Sequence, residues 1–176
     1  QIPPERQHAI ADLGTGTGAV AIAIARERPQ CTVFATDLSP EALAVAMQNA
    51  AVLGTRNISF HAGDWFAALR GKRFAVVVSN PPYIADDEWS ETDPGLGFEP
   101  RLALSGGPDG LADIRRIVSA APAHLENGGW LLLEHGSRQA VAVQNLLRQA
   151  GFESIATHCD LAGQPRVTEG RLPPES

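Results

Sequence analysis

Cysteine, basic residues and long apolar runs are all scarce in this sequence of 176 residues. Its two cysteines, Cys31 and Cys159, are too few for a disulfide scaffold or a cysteine-based cluster, and we expect no bound metal. No stretch approaches the roughly 18 uninterrupted apolar residues of a membrane-spanning helix, which excludes a membrane-embedded protein. The 14 Lys and Arg against 20 Asp and Glu give a net charge of −6, so we expect no direct nucleic-acid binding.

The first residues also lack the basic and apolar regions of a signal peptide, and we therefore expect a cytoplasmic protein. What the sequence does contain is 44% hydrophobic residues, enough to bury a core. Its length fits one domain, and no internal repeat or boundary is visible, so we predict a single domain over 1–176.

Short β-rich runs alternate with helical runs along the chain, which predicts an α/β fold with a mainly parallel sheet. The last two strands have no helix between them and should pair antiparallel, because a parallel pair needs a crossover. The predicted strands cover 8–13, 32–37, 58–62, 74–79, 130–135, 152–157 and 166–171, the helices cover 19–28, 39–53, 111–125 and 138–150, and residues 86–110 form a long loop.

Three glycines follow the first predicted strand and precede the first helix: Gly14, Gly16 and Gly18. Glycine permits positive φ and lets backbone N–H groups approach a ligand closely. Asp37 ends the next strand, where an acid can accept both hydroxyls of an adenosine ribose. An adenosine ligand is therefore predicted, but these residues alone do not separate NAD from S-adenosylmethionine.

Asp64 and Trp65 follow the third predicted strand, at the same edge of the sheet. A carboxylate there could accept the amino hydrogens of adenine while the indole packs on the ring. The competing interpretation is a turn aspartate beside a half-buried tryptophan.

The segment Asn80-Pro81-Pro82-Tyr83 follows the apolar fourth strand. The two prolines fix φ and remove two donors, so Asn80 and the adjacent carbonyls form a rigid set of acceptors for the hydrogens of a planar –NH₂ group. Tyr83, the only tyrosine, offers a flat face to an amide or a base. Holding both N–H bonds turns the nitrogen lone pair toward an electrophile, so orientation supplies much of the catalysis and no general base is needed. A proline-rich strand exit without function is the alternative.

The order and spacing of these motifs resemble a class I S-adenosylmethionine-dependent methyltransferase that acts on a planar nitrogen. Further segments narrow the resemblance to the HemK/PrmC family, over nearly the whole chain. The segments that carry it are DLGTGTG (12–18), Asp37, GDW (63–65), NPPY (80–83), FEP (98–100), LSGGPDG (104–110), LLLEHG (131–136) and RVTEGR (166–171). The resemblance implies a Rossmann-like fold with a seven-stranded, mostly parallel sheet, an antiparallel last strand and helices on both faces.

The resemblance also implies a set of site residues. The cofactor S-adenosylmethionine, released as S-adenosylhomocysteine, would contact the first turn, with Asp37 on the ribose hydroxyls and the pair after the third strand on adenine. The segment after the fourth strand would hold and orient the substrate amide, with Asn80 also beside the cofactor, and Glu99 would lie near the substrate mouth. The cofactor set is Asp12, Gly14, Thr15, Gly16, Thr17, Gly18, Asp37, Asp64, Trp65 and Asn80, and the substrate set is Asn80, Pro81, Pro82, Tyr83 and Glu99.

The activity implied by the resemblance is methylation of the side-chain amide nitrogen of the glutamine in the Gly-Gly-Gln motif of peptide-chain release factors. The protein is expected to be a monomer and to lack the helical N-terminal domain of the family. Methylation of a ribosomal-protein glutamine, or of adenine or guanine in nucleic acid, are alternatives within methyl transfer. An NAD-dependent oxidoreductase or a non-catalytic nucleotide-binding module are alternatives outside it.

Overall fold

The computed structural model describes residues 6–86 and 105–174 of the chain. Within these residues the chain forms strands, α-helices and one short 3₁₀ segment, Trp65–Leu69. The strands are β1 (Ala9–Leu13), β2 (Thr32–Asp37), β3 (Ile58–Ala62), β4 (Phe74–Ser79), β5 (Leu125–Glu134), β6 (Glu153–Cys159) and β7 (Pro165–Arg171), and the helices are α1 (Ala19–Glu27), α2 (Pro40–Val52), α3 (Ala112–His124) and α4 (Ala140–Gln149).

The strands make one seven-stranded sheet in the order β3-β2-β1-β4-β5-β7-β6. Each of the first five strands is parallel to its neighbours among them. In contrast, β7 runs antiparallel to both β5 and β6. This topology confirms the predicted α/β class, the mainly parallel sheet and the antiparallel pairing of the last two strands.

Both faces of the sheet carry helices, as predicted, because successive residues of a strand point to opposite faces. On one face, Leu13 of β1 joins an apolar cluster with Ile114 of α3 and Leu147 of α4. Ile10 belongs to a different cluster, against which Ile24 of α1 packs. Burial on both faces explains why β1 and β4 are almost wholly apolar in sequence.

Most predicted boundaries agree with the structure to within two residues, but the start of β5 was wrong. The strand begins at Leu125 rather than at 130 because its pairing with β4 contains an irregularity. Phe74 pairs with Leu125 and Val76 pairs with Trp130, so the residues between are accommodated as a bulge. Gly129 permits this bulge, since a Cβ there would lie 2.9 Å from the Glu126 carbonyl oxygen. The 3₁₀ segment Trp65–Leu69 was not predicted, because one short turn shows no readable periodicity.

The predicted loop 86–110 is described only at its two ends. Residues 87–104, which include Glu99, lie outside the described residues. The two ends lie together, since Ile84 forms an isolated parallel bridge with Ser105. The Asp86 amide also donates to the Gly107 carbonyl over 3.1 Å. No helix in the described part of the chain is long and apolar enough to cross a membrane.

The register of β1 with its two neighbours positions the site. Leu13, the last residue of β1, pairs with Thr36 of β2 and with Ser79 of β4. A buried side-chain hydrogen bond reinforces the second pairing, because Ser79 Oγ donates to the Leu13 carbonyl oxygen over 2.8 Å. The chain segments that leave these three strands therefore start side by side.

Replacing this buried hydroxyl should weaken the contact between β1 and β4. We expect Ser79→Ala to lower the free energy of unfolding by about 1–2 kcal/mol, because the Leu13 carbonyl loses a buried donor. Urea unfolding of the two proteins measures the difference. Ser59→Ala is the matched control: Ser59 is half-buried on the edge strand β3 and its hydroxyl bonds His61 at 3.0 Å. The control should lose less than about 0.5 kcal/mol, and equal losses in both variants would contradict the prediction.

Candidate active site

The carboxyl ends of β1, β2, β3 and β4 meet at one edge of the sheet. The Leu13 pairings bring the starts of the glycine turn and of the Asn80 segment together. The Gly63 amide donates to the Asp37 carbonyl over 3.0 Å, which joins the end of β3 to the end of β2. In an open α/β sheet this edge, near the strands where the order reverses, is where ligands bind.

The glycine turn after β1 is tight and open on one side. Gly14, Gly16 and Gly18 have φ values of +70°, +55° and +83°, a region that favours glycine. The Thr15 amide donates to the Thr36 carbonyl over 2.8 Å, which ties the turn to β2. A Cβ on Gly16 would meet no atom within 4 Å, so free space adjoins the backbone there. The turn can therefore admit a ligand against its main chain.

Asp37 connects this turn to the start of α2. Its Oδ2 accepts the Gly16 amide at 2.8 Å, and its Oδ1 accepts the Ser39 amide at 2.9 Å. Each carboxylate oxygen has a second lone pair, so the group can still accept hydrogen bonds from a diol. The two backbone donors hold the carboxylate beside the open space at Gly16.

Asp12 is buried beneath the turn, with only 2% of its surface exposed. Its Oδ2 accepts the Thr15 hydroxyl at 2.6 Å and the Ala21 amide at 3.0 Å. Burial raises the pKa of Asp12 to about 6, and the nearby charge of Asp37 acts in the same direction, whereas the two hydrogen bonds oppose it. Asp12 and Thr15 thus fix the turn against the first turn of α1. Thr17 is exposed, and its carbonyl accepts the Asn49 side-chain amide at 2.9 Å.

Asp64 and Trp65 occupy the next strand exit, and each has a partner that the sequence did not suggest. Arg116 of α3 forms an ion pair with Asp64 and a second one with Asp113, 3.1 Å away. Trp65 has a φ of +46°, and its ring covers Gly14, where a Cβ would lie 2.9 Å from Trp65 Cζ3. The indole Nε1 is buried without a hydrogen-bond partner. The Asp64 carboxylate therefore lies at the edge of the site, and the Trp65 indole packs against Gly14.

The segment after β4 presents an exposed amide on a rigid base. The Asn80 side chain is exposed at the end of this strand. Pro81 is buried, and Pro82 and Tyr83 are half-buried, so the backbone that follows Asn80 is packed into the protein. An exposed acceptor on a fixed backbone is suited to hold a polar planar group.

Tyr83 is held at both ends, by the last residue of β5 and by the connection from β5 to α4. Gln139 Nε2 donates to its carbonyl oxygen over 2.9 Å, and the Tyr83 hydroxyl donates to Glu134 Oε1 over 3.3 Å. Burial raises the pKa of the Tyr83 hydroxyl, and the negative charge of Glu134 adds to the shift. Tyr83 is therefore a neutral hydrogen-bond donor at neutral pH.

The structure brings together the predicted residues at 12–18, 37, 64–65 and 80–83, whereas Glu99 lies outside the described residues. Sequence reasoning missed Glu134, Gln139 and Arg116. Glu134 ends β5 and Gln139 follows it, at the same edge of the sheet, and that position was the available signal. Arg116 lies within a helix and gave no signal. In residues 6–86 and 105–174, no group of three or more His, Cys, Asp or Glu could hold a metal ion.

A comparison with protein families matches residues 1–92 to the "Methyltransferase small domain". The chain is also similar to proteins named release factor glutamine methyltransferase. It is 51% identical to that of Xylella fastidiosa (strain Temecula1) over 95% of this chain, 51% to that of Pseudomonas aeruginosa over 92%, and 44% to that of Escherichia coli K12 over 96%. The chain spans only 61%, 59% and 61% of the lengths of these curated relatives.

Solved structures share the fold at low sequence identity. A methyltransferase from Pyrococcus furiosus superposes with a TM-score of 0.73 at 16% identity, over 95% of this chain and 76% of that one. The 16S rRNA N2 G1207 methyltransferase of Thermus thermophilus, in complex with AdoMet and guanosine, gives 0.67 at 20% identity, over 96% of this chain and 39% of that one. These matches confirm the class I methyltransferase fold.

Changing the buried carboxyl beneath the turn should alter how stability depends on pH. The pKa of Asp12 is raised from 3.8 to about 6 in the folded state, so protonation favours folding. The resulting stability is fully present below 3.8 and is lost as the pH rises through about 6. Urea unfolding at pH 4.5 and 7.5 should therefore show the unsubstituted protein gaining stability relative to Asp12→Asn at the lower pH, by at most about 3 kcal/mol. A difference that is constant between the two pH values would contradict this.

Proposed function

The chain belongs to the methyltransferase small domain family, and on that premise we propose that it methylates the glutamine side chain in the Gly-Gly-Gln motif of peptide-chain release factors. The methyl donor is S-adenosylmethionine, and the acceptor is the amide nitrogen. The observation that carries this proposal is the register of β1 and β4, which starts the glycine turn and the Asn80 segment next to each other. The names of the similar proteins support the choice of substrate.

The residues after β1 and β2 fit the proposed cofactor. The open space beside Gly16 adjoins the Asp37 carboxylate, which matches a ribose diol next to a main chain that can approach closely. When bound, S-adenosylmethionine supplies a methyl group on a positively charged sulfur, which takes back the electron pair of the broken S–CH₃ bond. In this proposal Asp37 binds the ribose hydroxyls, and the glycine turn, braced by Asp12 and Thr15, binds the rest of the nucleoside and the methionine portion.

Asn80 and the Pro81 carbonyl hold the substrate amide. Their oxygens accept its two N–H hydrogens, which orients the nitrogen lone pair toward the methyl group, and Tyr83 packs on the amide plane. As the N–CH₃ bond forms, one N–H proton becomes acidic and leaves to water, so the neutral amide is restored as N5-methylglutamine. The chain's contribution is orientation, which agrees with a segment whose backbone is fixed by two prolines.

Asp64 is proposed to accept the adenine amino group at the rim. Its carboxylate is already paired with Arg116, which holds the side chain in place beside the proposed nucleotide pocket. Trp65 supports the floor of that pocket through Gly14. Glu99 stays a predicted residue of the substrate mouth.

Methyl transfer to a release factor tests the proposal directly. The chain is incubated with S-adenosylmethionine labelled in its methyl group and with an intact release factor. A second reaction contains the same factor with Ala in place of the Gly-Gly-Gln glutamine, and a third contains total RNA. Label in the first reaction alone is the expected result. Label that persists after the Gln→Ala change overturns the assigned site, and label in RNA alone overturns the substrate class.

Substitutions of Asp37 and Asn80 should affect different properties of the protein, the first cofactor affinity and the second the rate of methyl transfer. Asp37→Ala should weaken S-adenosylhomocysteine binding roughly 10- to 100-fold, because charge-assisted hydrogen bonds to the ribose are worth about 1.5–3 kcal/mol. Asn80→Ala should change that affinity by less than about 3-fold while lowering the rate of methyl transfer at least about 100-fold. Calorimetry and single-turnover transfer measure the two effects.

Glu153→Ala, which replaces an exposed acid at the start of β6, is the control for cofactor affinity, and Asn145→Ala on α4 is the control for transfer. Equal loss of cofactor affinity in both site variants would contradict this division of roles.

A further inference from the structure

We propose that Gln139 is a positioning residue for methyl transfer, which acts by fixing the backbone of the Asn80–Tyr83 segment from the connection between β5 and α4. This inference rests on the proposed function, because it concerns the segment assigned to the substrate amide. Gln139 contacts no proposed ligand, and its side chain bridges three separate parts of the chain.

Both the nitrogen and the oxygen of the Gln139 side-chain amide take part in these three hydrogen bonds. Gln139 Nε2 donates to the Tyr83 carbonyl over 2.9 Å and to the Asp109 carbonyl over 3.3 Å. Gln139 Oε1 accepts the Gly136 amide at 2.8 Å. An amide is required here, since the group must donate on one side and accept on the other. Prolines at 81 and 82 cannot donate from their own nitrogens, so the Tyr83 carbonyl is a point at which a side chain can fix this segment.

The atoms around these hydrogen bonds are closely packed. Gly110 has a φ of +69°, and a Cβ there would lie 2.3 Å from the Tyr83 carbonyl oxygen and 2.4 Å from Gln139 Nε2. Only a residue without a side chain lets Tyr83, Gln139 and the 105–110 segment meet in this way. The last of the three glycines in the LSGGPDG motif is therefore explained by the same contact.

The element that carries Gln139 is itself fixed to the sheet. His135, fully buried, contacts the Thr168 hydroxyl of β7 through Nε2 at 2.7 Å and the Gly136 carbonyl through Nδ1 at 2.8 Å. Glu134, the preceding residue, accepts the Tyr83 hydroxyl. The end of β5 and the connection that follows it thus hold both the carbonyl and the hydroxyl of Tyr83. Loss of the Gln139 bonds should let the segment shift, and a displacement of about 1 Å at a reacting group can cost 100-fold in rate.

Two substitutions of Gln139 test this role by kinetics. Gln139→Met keeps the length of the side chain without hydrogen bonds, and Gln139→Glu keeps the acceptor for Gly136 but places a carboxylate against the Tyr83 and Asp109 carbonyls. Both variants should lower the single-turnover rate about 10- to 100-fold and leave the affinity for S-adenosylhomocysteine within about 2-fold. The control is Gln144→Met on α4, which removes hydrogen bonds to Thr157 of β6 and from Arg148 and should change neither quantity.

The single tyrosine supplies a readout that does not require activity. Tyr83 is the only tyrosine of the chain, so absorbance near 295 nm follows its ionisation alone. Among residues 6–86 and 105–174, Glu134 and Arg166 are the charged groups that act on its hydroxyl. In the unsubstituted protein its pKa lies above the ordinary value of 10 because the ring is buried. In Gln139→Met it should fall toward 10, with tryptophan fluorescence used to confirm that the protein is folded over the titration.

The two readouts separate the inference from the proposed function. A slower transfer together with a lowered Tyr83 pKa supports the role of Gln139. Unchanged transfer and an unchanged pKa in both variants overturn it. If the unsubstituted protein transfers no methyl group to any release factor, the proposed function fails, and the titration alone then decides whether Gln139 fixes Tyr83.

Discussion

The parallel register of β1 between β2 and β4 is the constraint on which the site depends. Because Leu13 pairs with both Thr36 and Ser79, the glycine turn, Asp37 and Asn80 all begin at one level of one sheet edge. A shift of one residue in either pairing would turn the apolar side chains of β1 to the wrong faces. The two core clusters therefore hold the site residues in position, although none of those core residues touches a ligand in the proposed chemistry.

The elements could be read from the sequence where local chemistry marks them. Ser39 and Pro40 specify the start of α2, and the structure has the Ser39 hydroxyl accept the Ala42 amide at 3.1 Å. The glycine turn, Asp37 and the Asn80 segment were recognisable for the same reason, since each follows an apolar strand. The bulge before Trp130 was not, because it depends on how Phe74 pairs across the sheet. Local sequence does not record that pairing.

Gln139 and Arg116 were not identified from the sequence for a different reason. Gln139 lies 56 residues from Tyr83, and Arg116 lies 52 residues from Asp64. Neither pair shows a spacing or a composition that could be read along the chain. Only the strand order, which puts β5 beside β4, brings Gln139 to Tyr83. The residues proposed to bear the chemistry could thus be named from the sequence, whereas the residues that hold them in place required the fold.

The charges at the site suit a positively charged ligand. Three carboxyl groups lie at one edge of the sheet, and their surroundings differ. Asp64 forms an ion pair with Arg116, Asp37 accepts hydrogen bonds from two backbone amides, and Asp12 is buried. Burial, with Asp37 nearby, leaves the pKa of Asp12 at about 6, so its ionised form carries an unfavourable free energy. A cation held at the turn would relieve that cost by Coulomb attraction and would lower this pKa. A neutral ligand would not, whereas the proposed cofactor, whose sulfonium and ammonium charges exceed its single carboxylate charge, would.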